Sequence, residues 1–543
     1  MTTLPKSIDV LIVGAGPVGM AAANLLAAQG VEGMVIDRAL QIFEQPRAIA
    51  LDNEALRILQ WSGLSENAFE KIGVGSVHFK SPLFGEIGRV NAAGAIDCHP
   101  KLVTFFQPEL EAALHKKLQE RKSFPLHRGY ELHHSEEIES GVKVKLKDKS
   151  GQTHSLTCQY LIAADGANSS IRKSLDLDFK GGKRYDEDWL IVDVKNIHQS
   201  NIKKPQDHVE FICDPNRAVP HMPAPGDRER WEFKLRKNKD PKQLMEDSNI
   251  NKLLKPWFPQ MDAQIERKAV YRFQAKVAPK FSKGRVFLMG DAAHVTPPFV
   301  GQGLVAGLRD AANLSWKLSL VLKGHSQESI LNSYDEERRP HAKAMIKLAV
   351  LAGKVVMPQN KLAAFFSHGI VRLMSLLPMM KNLLQELEIK PKNAFSKGLF
   401  IKGGHRIKRG HPLMQTYLKG INGEQCKSDD VAPGKFRLIG FGLDPNLYLS
   451  KELQTAWKNL GGETLQICHK EQVLNRNTPN NCWEDIQGAL LPNTAPLGWM
   501  VILRPVQIVI HDGPIEEAER ILNEALNKMA CIASQDLNAG TAP

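Results

Sequence analysis

The sequence predicts an α/β fold built on a parallel sheet, and three segments carry that prediction. Each segment is a short apolar run that passes directly into a turn of glycine and polar residues. The first two runs begin at Val10 and Tyr160 of the 543-residue chain, and the third begins at Val286, directly after Arg285. Strands of a parallel sheet are covered on both faces and read as continuous apolar runs, and ligands bind beyond their carboxyl ends. We therefore expect the three turns to lie together at one edge of one sheet.

The first turn has the sequence Gly14-Ala15-Gly16-Pro17-Val18-Gly19 and follows the apolar run 10–13. A G-x-G-x-x-G turn between a strand and a helix lets the backbone approach a pyrophosphate at the positive end of the helix. The pattern predicts a helix over 18–29 that ends at Gly30, and then a strand over 31–36. Asp37 closes that strand, where its carboxylate can accept the hydroxyls of a ribose. This unit predicts a dinucleotide site without distinguishing NAD from FAD.

The other two turns place a carboxylate at the end of a strand. Asp165-Gly166 follows the apolar run 160–164, and Gly290-Asp291 follows the run 286–289. The second of these continues into Pro298-Phe299-Val300-Gly301-Gln302-Gly303 and a predicted helix over 304–322. Packing alone poorly explains three such turns in one chain. Together they indicate one extended cofactor that contains a pyrophosphate and two riboses or polyols.

Charge and cysteine usage exclude several classes of protein. The net charge of +12 is spread along the chain without an arginine-rich or lysine-rich block, which disfavours nucleic-acid binding. The seven cysteines show no C-x-x-C spacing and no paired histidines, which predicts reduced thiols, a cytoplasmic protein and no metal site. We expect the N-terminal apolar run to be a strand rather than a signal peptide, and we expect no integral membrane segment.

With these three motifs in this order, the sequence resembles the single-component, FAD-dependent aromatic hydroxylases of the p-hydroxybenzoate hydroxylase type. Residues 46–57, 307–314 and 334–339 resemble more narrowly the members that act on 3-(3-hydroxyphenyl)propionate. The resemblance spans most of the first 350 residues. It implies FAD as the cofactor, and NADH or NADPH as a co-substrate that visits transiently, in agreement with the lack of a second G-x-G-x-x-G unit.

The resemblance also implies a role for individual residues. The glycine turn would hold the pyrophosphate, Asp37 the adenosine ribose, Asp291 the ribityl chain, and Asp165 both FAD and the nicotinamide. The segment 301–303 would lie against the flavin ring, where the N-terminus of a helix favours negative charge. The complete implied set of FAD contacts is Gly14, Gly16, Pro17, Gly19, Asp37, Arg38, Arg47, Gln107, Asp165, Gly290, Asp291, Pro298, Gly301, Gln302 and Gly303.

The same resemblance predicts three domains. Residues 1–180 and 281–395 would form a discontinuous, Rossmann-like FAD-binding domain, and residues 181–280 an inserted mixed-sheet domain that roofs the substrate pocket. A glycine-rich, basic stretch at 402–410 predicts a linker within the start of a thioredoxin-like C-terminal domain over 396–543. Members of the family usually carry Arg-Pro-Asp near the end of that domain, whereas this chain has Arg504-Pro505-Val506.

Two residues of the inserted domain are candidates for catalysis. Arg217 and His221 follow a predicted strand over 208–213, where they could pair a substrate carboxylate or help to ionise a phenol. A histidine or arginine at such a place is more often structural or solvated. Both interpretations therefore stay open at the level of sequence.

The resemblance implies that NAD(P)H reduces the FAD and that one atom of dioxygen enters an aromatic ring ortho to a phenolic hydroxyl. The leading hypothesis is conversion of 3-(3-hydroxyphenyl)propionate or 3-hydroxycinnamate to the 2,3-dihydroxy product, in the catabolism of aromatic compounds. One alternative is a hydroxylase of a bulkier heteroaromatic or polyketide substrate. Another is a flavin reductase or redox sensor that oxygenates nothing. A homodimer is the expected assembly.

Overall fold

The computed structural model describes residues 4–44, 47–179, 186–195, 207–235, 245–259, 264–377, 390–403, 406–471 and 480–529. Four residues used in the sequence analysis lie outside these ranges. They are Pro46 of the segment 46–57, Gly404 and His405 of the predicted linker, and Cys531.

The strands of the described chain are numbered in sequence order. They are β1 (Ser7–Val13), β2 (Gly33–Asp37), β3 (Ala50–Asp52), β4 (Lys71–Gly73), β5 (Ser76–Ser81), β6 (Gly85–Asn91), β7 (Ala95–Ile96), β8 (His99–Pro100), β9 (Leu102–Phe105), β10 (Leu126–Arg128), β11 (Tyr130–Ile138), β12 (Gly141–Asp148), β13 (Thr153–Ala163), β14 (Asp186–Lys195), β15 (Val209–Ile212), β16 (Val219–Ala224), β17 (Arg228–Lys234), β18 (Gln264–Gln274), β19 (Lys276–Val277), β20 (Ser282–Lys283), β21 (Val286–Leu288), β22 (His294–Val295), β23 (Tyr417–Lys419), β24 (Gln425–Lys427), β25 (Phe436–Phe441), β26 (Gly462–Cys468), β27 (Cys482–Asp485), β28 (Trp499–Leu503) and β29 (Val509–Pro514).

The α-helices of the described chain are numbered in the same way. They are α1 (Pro17–Ala28), α2 (Asn53–Trp61), α3 (Gln107–Gln119), α4 (Ser170–Ser174), α5 (Asp247–Leu254), α6 (Gly303–Leu322), α7 (Ser333–Val356), α8 (Lys361–Leu376), α9 (Lys451–Asn459) and α10 (Ala518–Lys528).

The first sheet has the order β10-β2-β1-β13-β12-β11, and β21 joins it along β13. Strands β10, β2, β1, β13 and β21 pair with one another in parallel. The apolar run of β1 is completely buried, with Val10, Leu11 and Ile12 at 0% exposure. The predicted parallel arrangement is confirmed for these five strands, whereas the antiparallel strands β12, β11 and β20 make the sheet as a whole mixed. The strand order places the ends of β2, β1, β13 and β21 side by side at one edge.

Helices α1 and α6 cover this sheet and lie unusually close to each other. A Cβ atom on Gly307 of α6 would lie 2.5 Å from a methyl group of Val18 in α1. Helix α1 ends as predicted, because Gly30 adopts a φ of +73° just beyond it. The first turns of both helices therefore point toward the same edge of the sheet.

The second sheet forms a roof over that edge, and we call it the roof sheet. Its order is β18-β14-β17-β16-β15-β5-β6, and every pair in it is antiparallel except β15 with β5. Side chains alternate between its faces. Leu190 and Val192 pack outward under α5, whereas Trp189 and Ile191 face the interior of the molecule.

Two strands of the roof sheet come from outside the predicted insertion. Strands β5 and β6 lie in the chain before β13, within the segment 1–180 that the sequence analysis assigned to FAD binding. Sequence distance hides this pairing, because β5 contacts β15 across more than a hundred residues. The three predicted domain boundaries themselves stay a prediction.

The C-terminal sheet has the order β24-β23-β27-β26-β25-β28-β29 and contacts α9 and α10. Strands β26, β25 and β28 lie side by side in its interior. Its thioredoxin-like character stays a prediction. The sheet packs against the first part of the molecule, since Phe436 of β25 meets the ring of Trp316 in α6 edge-on at 5.6 Å.

A buried charged cluster fastens the C-terminal part to α6 and α7, and we call it the Glu337 cluster. The carboxylate of Glu337 accepts hydrogen bonds from Arg504 at 2.8 and 3.0 Å, from Lys317 at 2.9 Å and from Asn313 at 2.7 Å. The side chains of Glu337, Lys317 and Arg504 have no exposed area. Burial alone would raise the pKa of Glu337, but Arg504 and Lys317 lower it to about 2. Arg504 of the C-terminal motif therefore serves here as a structural anchor.

The expectation of seven reduced thiols is wrong for two cysteines. Cys468 and Cys482 form a disulfide bond between the neighbouring parallel strands β26 and β27. A separation of 14 residues gave no sign of this in the sequence, because the bond depends on which strands become neighbours. Cys98, Cys158, Cys213 and Cys426 are free thiols.

The described ranges contain the ten α-helices named above. No helix there combines the length and the apolar character that crossing a bilayer requires.

Candidate active site

A cavity of about 1990 Å³ lies between the edge of the first sheet and the inner face of the roof sheet. Its walls include the ends of β1, β2 and β13, the turn after β21, and the first turn of α6. The roof sheet contributes apolar side chains from β5, β15 and β16 to the opposite wall. The three turns that the sequence analysis expected to meet are thus parts of one cavity wall.

The glycine turn after β1 has the geometry that a close approach to phosphate requires. Gly14 adopts a φ of +111°, and a Cβ there would lie 2.3 Å from the carbonyl oxygen of Ala164. A Cβ on Gly19 would lie 2.0 Å from the carbonyl oxygen of Gly14. Gly16 differs, since a Cβ there would meet nothing within 4 Å, and no side chain caps the helix that begins at Pro17. The turn therefore presents open space and the positive end of α1 to the cavity.

Asp37 stands at the end of β2 and is held by two backbone amides. Its carboxylate accepts hydrogen bonds from the N–H groups of Ala15 and Ala39, both at 2.7 Å. These contacts tie the carboxylate to the glycine turn, at the place where a ribose would follow a pyrophosphate. Arg38 is exposed and lies 3.8 Å from Glu131. Both Asp37 and Arg38 line the cavity.

Asp165 follows β13 and carries an unsatisfied buried oxygen. Its Oδ2 accepts a hydrogen bond from the N–H of Ser170 at 3.0 Å, whereas Oδ1 is buried without a partner. Burial raises the pKa of this carboxyl. A buried acceptor without a donor costs free energy, so a ligand hydroxyl at this place would be stabilising. The open space beside Gly166, where a Cβ would meet nothing within 4 Å, leaves room for such a ligand.

Asp310 of α6 holds the turn after β21 in place. This carboxylate accepts hydrogen bonds from the N–H of Gly290 at 3.0 Å, from His294 at 2.6 Å and from Arg338 at 2.8 Å. The fixed turn leaves the side chain of Asp291 facing the cavity, with 41% of its area exposed there. The cavity walls desolvate this carboxyl and raise its pKa, and the guanidinium of Arg47, 4.0 Å away, lowers it.

The segment before α6 supplies backbone rather than side chains to the cavity. Pro298, Gly301, Gln302 and Gly303 all line it. The side chain of Gln302 instead bonds Asp52 at 2.9 Å and Arg309 at 3.0 Å. No side chain caps α6, so the positive end of this helix faces the cavity.

Arg47 and Gln107 meet each other at the cavity wall. The side-chain oxygen of Gln107 accepts hydrogen bonds from the backbone N–H groups of Arg47 at 3.0 Å and Ala48 at 2.9 Å. Its amide nitrogen donates to Glu111 at 2.7 Å. Gln107 thus holds the loop that carries Arg47, and the Arg47 side chain lies over the ring of Tyr271 at 5.7 Å.

Arg217 and His221 do not reach the cavity, so we do not carry their predicted catalytic role forward. Neither residue is part of the cavity wall, although both neighbours of His221 in β16, Pro220 and Met222, line it. His221 points to the opposite face of the roof sheet, where its Nε2 lies 2.6 Å from Glu229 and its ring stacks on Trp231 at 4.3 Å. The alternation of side chains along β16 decides this outcome.

Polar residues on the inner face of the roof sheet were not predicted from the sequence. Glu232 of β17 lines the cavity, and Asp193, Arg230 and Arg267 form ion pairs on the same face of the sheet. In the segment 228–234, charged residues occur on both faces of the predicted strand. The sequence alone therefore does not show which of these charges face inward. The pairing of β17 with β14 and β16 supplies that information.

The residues of the cavity fit FAD on three observations. Two helix N-termini without side-chain caps, at Pro17 and Gly303, point to one cavity and suit the pyrophosphate and a reduced flavin ring. The unpartnered Oδ1 of Asp165 suits a hydroxyl donor. Open space at Gly16, Gly166 and Gly303 leaves the backbone accessible.

Two family models match the chain. The FAD binding domain matches residues 7–349, and the HcaD C-terminal domain matches residues 410–528. Among named relatives, the 3-(3-hydroxy-phenyl)propionate/3-hydroxycinnamic acid hydroxylase of Burkholderia cenocepacia is 32% identical over 521 residues, which cover 92% of this chain and 93% of that protein. The enzyme of the same name from Escherichia coli is 32% identical over 471 residues, which cover 86% of this chain and 84% of that protein.

Solved structures show the same fold at lower sequence identity. The flavin-dependent monooxygenase PieE, in complex with FAD and substrate, matches with a TM-score of 0.79 and 20% identity over 96% of this chain and 99% of that one. Aklavinone-11 hydroxylase, in a ternary complex with FAD and aklavinone, matches with a TM-score of 0.75 and 19% identity over 97% of this chain and 100% of that one.

Proposed function

The chain belongs to the family of FAD-dependent aromatic hydroxylases, and from this premise we propose that it hydroxylates a phenolic aromatic acid ortho to the phenol. The proposed substrate is 3-(3-hydroxyphenyl)propionate or 3-hydroxycinnamate, and the proposed product is its 2,3-dihydroxy derivative. The observation that carries this proposal is 32% identity to hydroxylases of these compounds over nine-tenths of both chains. The enzyme depends on FAD and uses NAD(P)H, as is typical of the family.

We propose that the residues at the edge of the first sheet hold FAD in the roles that the resemblance implied. The open backbone at Gly16 and the positive end of α1 support a pyrophosphate site, and the anchored Asp37 supports a ribose site. Asp165 and Asp291 offer acceptors to the polyol part, and the segment 301–303 offers backbone to the ring. FAD, reduced by NAD(P)H, supplies the activation of dioxygen and the transfer of one oxygen atom to the ring.

The protein excludes water from the reacting ring and orients that ring. The inner face of the roof sheet is apolar over Phe79, Phe211 and Met222, which line the cavity. Such a wall holds an aromatic ring by burial of apolar surface and keeps bulk water away from it. Cations such as Arg47 and Arg89 also line the cavity, which suits an acidic substrate.

The first test measures NADH and NADPH oxidation by the purified yellow protein with and without 3-(3-hydroxyphenyl)propionate. We expect the substrate to raise the oxidation rate by at least about tenfold and to yield a catechol in a ratio near one to the nucleotide consumed, since binding of the ring completes the site. 3-Phenylpropionate, which lacks the phenol, is the control and should give no catechol. Fast oxidation that releases peroxide and does not respond to any aromatic compound would instead indicate a flavin reductase.

A bulkier heteroaromatic or polyketide substrate is the second candidate. The likeness in fold to aklavinone-11 hydroxylase, which is solved with FAD and aklavinone, supports it. The cavity volume of about 1990 Å³ does not decide between the two candidates, because the cavity has to hold FAD as well as the substrate. Product mass spectra from a panel of phenolic acids and polycyclic phenols distinguish the two candidates. Coupled turnover of the polycyclic phenols alone would replace the phenolic acid as the substrate.

We also propose that the chain forms a homodimer through the outer face of α8. In the described part of the chain, this helix leaves a continuous apolar stripe in solvent, which consists of Leu362, Phe365, Phe366, Ile370 and Leu373. The spacing of three to four residues puts these side chains on one face of the helix. A contiguous exposed apolar patch of this kind is typical of an interface.

We expect the double substitution Phe366→Glu with Leu373→Glu to weaken the dimer roughly 30-fold or more, because it buries two charges against apolar surface. Sedimentation velocity over a range of concentrations measures this change. Lys354→Glu, an exposed position at the end of α7, is the charge control and should leave the association unchanged. A wild-type chain that stays monomeric at high concentration would contradict the dimer.

A cytoplasmic location is a further part of the proposal. Its support is the requirement for NAD(P)H together with the four free thiols of the described chain. The disulfide bond between Cys468 and Cys482 departs from that pattern. Cell fractionation followed by activity measurements in each fraction tests this location.

A further inference from the structure

Glu232 is an isolated carboxyl group in an apolar row of the roof sheet. The strand pairings place it beside Ile191 of β14 on one side and Pro220 of β16 on the other. The row continues from Pro220 to Phe211 and then to Phe79. All five residues line the cavity. Neighbouring Cβ atoms in such a row lie about 5 Å apart, so a ring held against this wall lies within reach of the Glu232 carboxyl.

Glu232 is the cavity carboxyl that belongs to the roof sheet. Within the described residues, the other carboxyls of the cavity wall lie outside this sheet, and two of them, Asp165 and Asp291, lie beside the proposed FAD site. Only 5% of the area of Glu232 is exposed, yet the residue borders the cavity. A carboxyl that is buried in this way is costly to ionise, and such groups at the wall of a ligand cavity are candidates for a functional role.

Two guanidinium groups and one carboxylate lie near enough to Glu232 to act on it electrostatically. Arg230 on its own strand bonds Asp193 of β14 at 2.7 and 3.2 Å, and also bonds the backbone carbonyl of Arg47 at 3.1 Å. Arg267 of β18 lies 3.4 Å from the same carboxylate of Asp193. This cluster connects the roof sheet to the loop that carries Arg47. It also gives the apolar row a positive neighbour that stabilises an anion.

These neighbours leave Glu232 able to change its protonation state near neutrality. Burial and the Asp193 carboxylate raise the pKa of Glu232, Arg230 and Arg267 lower it, and the net result is a pKa of about 7. A group of this kind is suited to acid–base work at neutral pH, because both of its forms are populated there.

We propose that Glu232 is the base that accepts the proton of the phenolic hydroxyl when the aromatic substrate binds. The inference deepens the proposed function and depends on it. The O–H bond of the phenol breaks, its electron pair stays on the phenol oxygen, and the proton forms an O–H bond with a carboxylate oxygen of Glu232. The phenolate that results pushes electron density into the ring at the ortho position.

The transfer creates no additional charge in the apolar cavity. One negative charge moves from the carboxylate to the phenol oxygen, and both sites lie near the guanidinium groups of Arg230 and Arg267. A transfer to bulk water would instead leave a second anion in the cavity, at a high desolvation cost. Proximity to the two cations therefore supports the ionised ring before oxygen transfer.

The decisive variant is Glu232→Gln, which keeps the shape of the side chain and removes its basicity. We expect hydroxylation kcat to fall about 100-fold or more, which is the usual contribution of a positioned base. Glu232→Asp should recover part of the rate, since it restores a carboxylate. Glu266→Gln is the matched control, because Glu266 lies on β18 of the same sheet, outside the cavity wall, and pairs with Arg228 at 2.7 Å.

A second measurement separates proton transfer from a structural role. We expect the ultraviolet difference spectrum of the bound substrate to show phenolate near neutral pH with the wild type, and only at higher pH with Glu232→Gln. Ring-fluorinated substrates with more acidic phenols should narrow the difference in kcat between the two proteins. Retention of FAD, read from the visible spectrum, verifies that the variant is folded.

The possible results distinguish a failure of the proposed function from a failure of the proposed role of Glu232. A wild type that hydroxylates none of the phenolic acids overturns the proposed function. A wild type that hydroxylates them, with a Glu232→Gln variant that matches its kcat and its phenolate spectrum, overturns the role of Glu232 alone. A loss of kcat that fluorinated substrates do not narrow also overturns that role.

Discussion

Gly19→Ala is expected to destabilise the fold by about 3 kcal/mol or more and to abolish FAD binding. The added Cβ would lie 2.0 Å from the carbonyl oxygen of Gly14, which is backbone and cannot rotate away. Helix α1 would have to shift from the strand that leads into it, at the upper end of the cost of overpacking a core. Chemical denaturation of the apoprotein and the FAD content of the purified protein measure the two effects.

Gly16→Ala is the informative comparison for this variant. A Cβ at Gly16 would meet nothing within 4 Å, and its φ of −72° suits any residue, so the apoprotein should keep its stability. The methyl group would occupy the space that we assign to the pyrophosphate, and FAD affinity should fall. Equal FAD affinity in Gly16→Ala and the wild type would contradict the proposal that the pyrophosphate binds at this turn. Wild-type stability of Gly19→Ala would contradict the steric argument itself.

Glu337→Gln is expected to lower the free energy of unfolding by about 3–5 kcal/mol, the usual loss when one partner of a buried ion pair is removed. The substitution leaves Arg504 and Lys317 as buried cations that face a neutral amide. Urea denaturation, followed by tryptophan fluorescence, measures the change. Glu336→Gln, an exposed neighbour on the same helix, should stay within about 0.5 kcal/mol of the wild type.

The pH dependence gives a second signature of the Glu337 cluster. The pKa of Glu337 is lowered from 4.5 to about 2, so its contribution to stability is complete above pH 4.5 and is lost as the pH falls toward 2. Glu337→Gln should therefore lose less stability than the wild type over this range. Parallel acid profiles of the two proteins would show that the carboxylate contributes nothing through its charge.

Local patterns along the chain predicted the first sheet well. The run from Val10 into the glycine turn, the cap at Gly30 and the acid at Asp37 all depend on neighbours in sequence, and the structure confirms the strand, helix and strand that they predicted. Such local patterns could not predict which segments pair when they lie far apart in the sequence. Strands β5 and β6 join the roof sheet, and Cys468 bonds Cys482, because the folded chain brings those segments together.

The remaining differences between the predicted and the observed site residues depend on which face of a strand each side chain occupies. Asp165 and Asp291 were identified because each ends a strand, and strand ends of a parallel sheet meet ligands. His221 was chosen for its chemistry, but it lies in a strand whose alternate residues line the cavity. Glu232 was overlooked for the opposite reason, because its strand carries charges on both faces and only the register shows which of them point inward.

The origin of β5 and β6 limits how substrate preference can be exchanged between relatives of this enzyme. A chimera that transfers only residues 181–280 would bring in most of the roof sheet but would keep the recipient's residues 76–91 as its last two strands. The new β15 would then have to match a foreign β5 along a parallel register, and Phe79 would have to fit a foreign Phe211, on which it stacks at 5.1 Å. Crossover points for such grafts therefore belong on both sides of residues 76–91 as well as around the insertion.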